Sequence, residues 1–212
     1  MTTTDANFTT DEYLTRIAKT RSAMERAGLD AIVVTDPSNM SWLTGYDGWS
    51  FYVHQCVVLT LSGEPIWWGR AMDAVGAQRT VFMQDKGSIR GYDDTFVQNP
   101  DKHPMSDLSR LCAAHGLEAA RIGLEMDNYY FSAKAYQSLI KEMPHARFQD
   151  ANALVNWCRA IKSPREIEYM RIAARIVEGM HSRILEMIEP GLAKSKLVSE
   201  IYRVGIEGWT DS

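Results

Sequence analysis

The sequence predicts an α/β fold in which a mixed β-sheet is flanked by helices. Three observations predict it. An amphipathic stretch near the start runs straight into a short apolar β-branched run, two further apolar runs are joined by turn residues, and helix and strand patterns then alternate to about residue 150.

Thr10, followed by Asp11 and Glu12, predicts the start of the first helix. Leu14, Ile17, Arg21 and Met24 recur at spacings of three and four, and Gly28 stands where a C-terminal cap belongs. Ala31-Ile32-Val33-Val34-Thr35, ended by Asp36-Pro37, has the pattern of a strand buried on both faces. Residues 53–60 and 66–69, separated by Leu61-Ser62-Gly63-Glu64-Pro65, predict a hairpin, which makes the sheet mixed. Trp67 and Trp68 are adjacent on a strand and must face opposite sides, one into the core and the other a candidate interface residue. Helices follow over 72–82, 104–115 (closed by Gly116) and 132–143, with strands near Ile89, over 121–125 and around Phe148.

The character changes at residues 159–167. Ser163 as N-cap, Pro164 at the first helical position and Glu166 reaching back form a capping box. Ile167, Met170, Ala174, Val177, His181, Ile184 and Ile188 lay an apolar stripe along the helix that follows, which stops at Glu189-Pro190-Gly191. A second helix from Lys194 to about Glu207 offers Leu197, Ile201 and Val204. Two helices are too little for a core of their own, since a domain needs about 50 residues or more. The expected organisation is therefore one domain over 1–160 and the truncated beginning of another over 161–212.

The 23 basic and 27 acidic residues leave a net charge of −4, and the basic ones are scattered, so nucleic acid is not an expected partner. No apolar stretch is long enough to cross a membrane, and the polar, acidic start has no leader pattern, so a cytoplasmic location is expected. Cys56, Cys112 and Cys158 are odd in number, widely spaced and in apolar surroundings, which predicts buried thiols rather than a disulfide framework or a metal site.

Trp49, Phe51, Tyr52, His54 and Gln55 make an unusually aromatic loop, and loops on a rigid scaffold are where binding groups tend to sit. The competing reading packs these rings into a core or a dimer seam. Asp93 with Asp94, and Asp101 with His103, invite a catalytic reading. Neighbouring loop acids are more often solvated, and a base must first be shown within hydrogen-bond reach. His181 lies on the apolar stripe and is expected in the core. Ser163 is used by its cap, and no nucleophile elbow, P-loop or dinucleotide fingerprint is present.

Four stretches in order resemble the creatinase, aminopeptidase P and prolidase family: Gly28 to Val34, the loop Asn39-Met40-Ser41-Trp42-Leu43-Thr44-Gly45-Tyr46, Arg121 to Asp127, and Arg159-Ala160-Ile161-Lys162-Ser163-Pro164-Arg165-Glu166. The resemblance implies a ribonuclease H-like N-terminal domain followed by the first helices of a "pita-bread" catalytic domain. It also implies hydrolysis of a C–N bond, a homodimer, and an N-terminal domain that closes over the partner subunit's active site. Catalytic residues then lie beyond Ser212, and none is within this chain. Residues 48–52 and 66–73 are similar to the creatinase-like branch, which works without a metal, and imply a small-molecule substrate with a cyclic amidine. In that branch an aromatic residue and an Arg approach the substrate. Phe51 matches the aromatic, whereas Val53 departs from the Arg, with His54 as a neighbouring donor.

Substrate-binding candidates are thus Phe51, Trp49, Tyr52 and His54, with no cofactor and no metal ligands in the chain. An aromatic wall suits a flat amidinium, at roughly 0.5 to 2 kcal/mol. The alternatives are an Xaa-Pro peptidase, which requires a divalent metal, and a non-catalytic binding or scaffold module.

Overall fold

A computed structural model of the chain describes residues 7–208; the first six residues and the last four, where the readings of the polar start and of the sequence end fall in part, lie outside it. The chain forms two compact units, one up to Ala160 and one from Ile161.

In the first unit the elements in chain order are α1 (Thr10–Arg26), β1 (Ala31–Val34), α2 (Pro37–Thr44), β2 (Cys56–Thr60), β3 (Ile66–Arg70), α3 (Ala71–Thr80), β4 (Ile89–Tyr92), α4 (Met105–Ala114), β5 (Arg121–Leu124), α5 (Ala133–Glu142), β6 (Arg147–Asp150) and α6 (Leu154–Arg159). The six strands make one sheet in the order β4-β3-β2-β1-β5-β6. Strand β2 runs antiparallel to both neighbours, and the other pairings are parallel, so the mixed sheet predicted from the hairpin is the sheet observed.

Side-chain alternation along the strands splits the core in two. Ile32, Val34, Val57, Leu59 and Trp67 face α1, α2, α3 and α6, while Ala31, Val33, Cys56, Val58, Ile66 and Trp68 face α4 and α5. Both tryptophans are fully buried, so neither is an interface residue. The reason is that helices cover both sheet faces. Trp67 packs on Tyr46 at 5.1 Å between ring centroids, and the Trp68 indole N–H donates to Asp107 Oδ1 at 2.9 Å. The three cysteines are buried free thiols.

Several local expectations shift. Helix α1 starts at Thr10 as predicted, and its cap is Thr9, whose hydroxyl accepts from Glu12 N at 3.2 Å. The buried face of α1 is Tyr13, Arg16, Ile17, Thr20 and Met24. Leu14 is exposed. Arg21 instead clasps the β2–β3 turn, donating to Thr60 O at 2.8 Å and to Gly63 O. Residues 39–46, read as a loop, are mostly helix α2: Asp36 caps it through Ser38 N and Asn39 N, and Pro37 supplies the first-turn φ. Helix α6 has no counterpart in the sequence reading.

The motif segments meet in one buried knot. Glu125, 2% exposed at the end of β5, accepts from Thr35 N at 2.7 Å and Asp36 N at 2.8 Å through Oε2, and from Asn39 Nδ2 at 2.6 Å through Oε1. Asn39 Nδ2 also donates to Asn156 Oδ1 at 2.8 Å, and Asn39 Oδ1 accepts from Arg159 Nη1 at 2.6 Å. Asn128 joins the end of β5 back to Thr35, at 3.0 Å. The glycines of these motifs allow close approach. A Cβ on Gly123 would lie 2.7 Å from Ala151 Cβ, and Gly45, at φ 84°, would bring one within 2.9 Å of Thr80 O.

The second unit holds α7 (Pro164–Met187) and α8 (Lys194–Glu207). The capping box forms as spaced: Ser163 Oγ accepts from Glu166 N at 3.2 Å, and Glu166 Oε2 accepts from Ser163 N at 2.8 Å. The packed face is not the stripe predicted. Gly179 is buried and Met180 lies against Gly205 of α8, while Arg183 pairs with Glu200. Met170, Val177, His181 and Ile188 are exposed on this two-helix unit. Helix α7 carries apolar residues around much of its circumference, so periodicity allows more than one stripe and contact with α8 selects between them.

Replacing Glu125 by Gln leaves one oxygen for three donors. An orphaned buried donor costs about 1 to 3 kcal/mol, so Glu125→Gln should lower unfolding stability by about 2 to 3 kcal/mol in a denaturant titration. Burial, opposed by the three N–H bonds, holds the Glu125 carboxyl above its ordinary range. A raised folded-state value contributes stability that is complete below the ordinary value and is drawn down as pH rises through the folded one. The deficit of the Gln variant should therefore be wider at acid pH than at pH 8.

Candidate functional site

Residues 46–55 connect α2 to β2 and carry all four sequence candidates. Hydrogen bonds within the loop and to α3 help to hold it. The Tyr46 hydroxyl donates to Gln55 Oε1 at 3.1 Å across its base, Val53 N donates to Ser50 O at 3.2 Å, and the buried Ser50 hydroxyl donates to Asp73 Oδ1 on α3. Burial, with Asp73 and Asp47 nearby, pushes the Tyr46 phenol up, so it stays a neutral donor.

On this frame the rings point outward. Trp49 is 81% exposed, Tyr52 68% and Phe51 41%. Phe51 stands edge-on to Trp49 at 5.2 Å, to Tyr52 at 6.3 Å and to Tyr130 at 6.2 Å. Neither core packing nor solvent exposure alone describes the set: it is a self-supporting aromatic ridge, with Tyr130 contributed by the β5–α5 connection.

The ridge divides two cavities. A groove of about 570 Å³ takes Trp49 and Phe51 on one side, together with Tyr130, Asp47, Ser38 and Arg159. A cavity of about 430 Å³ takes Tyr52 and His54 on the other, with His103, Lys102, Tyr92 and Asn99. The structure therefore brings the four candidates together in sequence but sorts them in pairs. Tyr130, Asp47 and Arg159 are not among the sequence candidates. The aromatic pair Tyr129-Tyr130 in a predicted connection is a visible signal, whereas Arg159 registers only as part of a family motif.

His54 lies with its ring centroid 4.8 Å from that of His103. Its backbone carbonyl accepts from the Tyr92 hydroxyl at 2.9 Å. Burial, then His103, lowers the His54 pKa to about 4. His103 Nδ1 accepts from Met105 N at 3.2 Å, so its proton sits on Nε2 when neutral. The carboxylates set aside in the sequence are used locally: Asp93 accepts from Thr95 N at 2.8 Å, and Asp94 takes Arg70 in a fork of 2.7 and 2.9 Å. Among the described residues no group of three or more His, Cys, Asp or Glu could hold a metal ion.

A His held neutral by burial makes a testable pH statement. Its folded pKa of about 4 lies below the ordinary 6.5, so the stability it contributes is complete above 6.5 and is lost as pH falls toward 4. Two-dimensional NMR of the imidazoles should show His54 titrating near pH 4, and His54→Gln should flatten the loss of unfolding stability across that window.

Known proteins resemble the chain throughout its length. The Creatinase/Prolidase N-terminal domain family matches residues 16–161. An ectoine hydrolase of Halomonas elongata is 67% identical over 204 residues, which is 96% of this chain and 51% of that protein. An uncharacterized hydrolase/peptidase of Sinorhizobium fredii is 36% identical over 203 residues, 95% of this chain and 52% of that one. Among solved structures, an Xaa-Pro dipeptidase from Bacillus anthracis superimposes with a TM-score of 0.71 at 18% identity, over 92% of this chain and 49% of its own. The chain spans about half the length of the curated relatives it matches.

Proposed function

The chain belongs to the Creatinase/Prolidase N-terminal domain family, and on that premise we propose that it is the N-terminal part of a C–N hydrolase that opens the cyclic amidine of ectoine. The observation that carries this reading is 67% identity to an ectoine hydrolase across 96% of the chain. The exposed aromatic ridge supports it, because an amidinium is a flat, delocalised cation that an aromatic face attracts by roughly 0.5 to 2 kcal/mol.

In this reading residues 1–160 are the N-terminal domain and α7 and α8 open a pita-bread catalytic domain. The exposed apolar residues on those two helices, Met170, Ile172 and Leu185 among them, fit a role as a first layer that further chain covers. Nucleophile and base belong to that further chain, and residues 1–212 do not turn over substrate alone. The enzyme acts as a homodimer in which Phe51, Trp49, Tyr52 and His54 approach the substrate held by the partner subunit. His54, neutral at physiological pH, serves there as a hydrogen-bonding group rather than a charge. Three buried free thiols suit the reducing cytoplasm.

Turnover by the full-length gene product, with and without a chelator, on ectoine, creatine and an Xaa-Pro dipeptide tests the reading. Chelator-resistant opening of ectoine is expected. Chelator-sensitive cleavage of the dipeptide moves the assignment to a metal-dependent peptidase, and no turnover of any of the three favours a binding or scaffold role. Within the expected outcome, Phe51→Ala should raise KM about fivefold, the equivalent of about 1 kcal/mol of cation–π attraction.

A further inference from the structure

The groove beside Trp49 and Phe51 contains two charges that nothing in the described chain neutralises. Arg159 is half-buried on its wall. One guanidinium N–H donates to the neutral Asn39 Oδ1 at 2.6 Å, and no carboxylate among the described residues pairs with it. Its orientation is not accidental. Asn39 spends both amide hydrogens on Glu125 and Asn156, so its oxygen must face Arg159 and holds the guanidinium fork in place.

Several guanidiniums of this unit are paired with carboxylates. Arg16 donates to Trp42 O and pairs with Glu12, Arg70 is chelated by Asp94, and Arg121 by Asp30. Arg159 is left with donors in a fork geometry that matches a carboxylate.

On the same groove Asp47 presents the opposite charge. Its backbone N–H donates to Thr80 Oγ1 at 3.3 Å, which fixes the residue, while its carboxylate has no cation partner among the described residues. The edge-to-face rings of Trp49 and Phe51 follow it in sequence and line the same space.

We propose that this groove is a binding site within a single subunit for a small zwitterion, whose carboxylate is taken by Arg159 and whose flat cation lies against Trp49 and Phe51 with Asp47 as counter-charge. A ligand carrying only one of the two charges leaves the other protein charge unmatched, so recognition requires both ends. The proposal deepens the hydrolase reading and rests on it for the identity of the cation as an amidinium. It differs from that reading in placing a ligand on this chain's own groove rather than solely at the partner's active site.

Isothermal titration of the 212-residue chain with ectoine as the probe tests it, with acetamidine and acetate as single-charge controls. Saturable binding of ectoine is expected, with either control at least tenfold weaker. Asp47→Asn, an exposed substitution, should weaken ectoine at least fivefold with an unchanged unfolding midpoint. Arg159→Gln should abolish binding, with the midpoint measured alongside because Arg159 also contacts Asn39. Absence of saturable binding to the folded chain, equal binding of a single-charge control, or an unchanged Kd in Asp47→Asn overturns the site. Full-length turnover of ectoine without binding by this chain would leave the hydrolase reading standing and remove the groove. Asp47- and Arg159-dependent binding without turnover would do the reverse.

Discussion

The Glu125 carboxylate organises the first unit. It is a charge placed at the C-terminal ends of two parallel neighbouring strands, where the chain must leave β1 and turn into α2. Backbone N–H groups at such a turn need acceptors, and Thr35 N and Asp36 N both find theirs on one oxygen of Glu125. The other oxygen orients Asn39, which in turn sets Asn156 and Arg159 on α6. Burying a carboxylate is unfavourable, and the raised pKa records that burial outweighs the hydrogen bonds. The compensation lies in what would be orphaned without it, because each of those donors is also buried or half-buried. A single acid thus ties the first strand, the second helix and the last helix of the unit to the end of β5.

The stretches that carry the family resemblance acquire a physical meaning from this knot. Glu125 lies in the Arg121–Asp127 stretch, Asn39 opens the Asn39–Tyr46 stretch, and Arg159 opens the Arg159–Glu166 stretch, so three separated motifs supply one hydrogen-bonded assembly. Their glycines have a packing role as well: Gly123 lets β5 approach Ala151 and Leu29, and Gly45 lets the end of α2 approach Tyr13 and Thr80. These residues therefore specify the fold first. One guanidinium N–H of Arg159 is spent on the knot, and the side chain also lines the groove beside Trp49 and Phe51.

The candidate loop shows the same division of labour. Tyr46, Ser50 and Gln55 face inward and fix the loop on Trp67 and Asp73, which frees Trp49, Phe51 and Tyr52 to stand exposed. Exposed aromatic rings are costly to leave in water, and their mutual edge-on contacts with Tyr130 recover part of that cost while keeping their faces available. Behind them His54 and His103 form a pair in which burial favours the uncharged state. The ridge is therefore flanked by a groove bearing unmatched charges and by a cavity whose histidines are neutral.

Periodicity, turn residues and caps were enough to determine the order of most elements, the mixed sheet, the two-faced burial of the central strands and the Ser163 capping box. All are local: alternation by two, recurrence by 3.6 and a hydrogen bond three residues away are written in consecutive residues. Helices α2 and α6 escaped because each is short, and α2 in particular has polar residues interrupting its apolar positions, so their stability derives from Asp36, Asn39 and the Glu125 knot rather than from an amphipathic stripe. The packed face of α7 escaped because a helix apolar on several sides has no preferred face until α8 contacts it. The aromatic loop was legible as a candidate from composition alone. Its partition between two cavities, and the convergence of Asp47, Tyr130 and Arg159 beside it, depended on long-range contacts such as that of Arg159 with Asn39, 120 positions apart, which only the folded chain brings together.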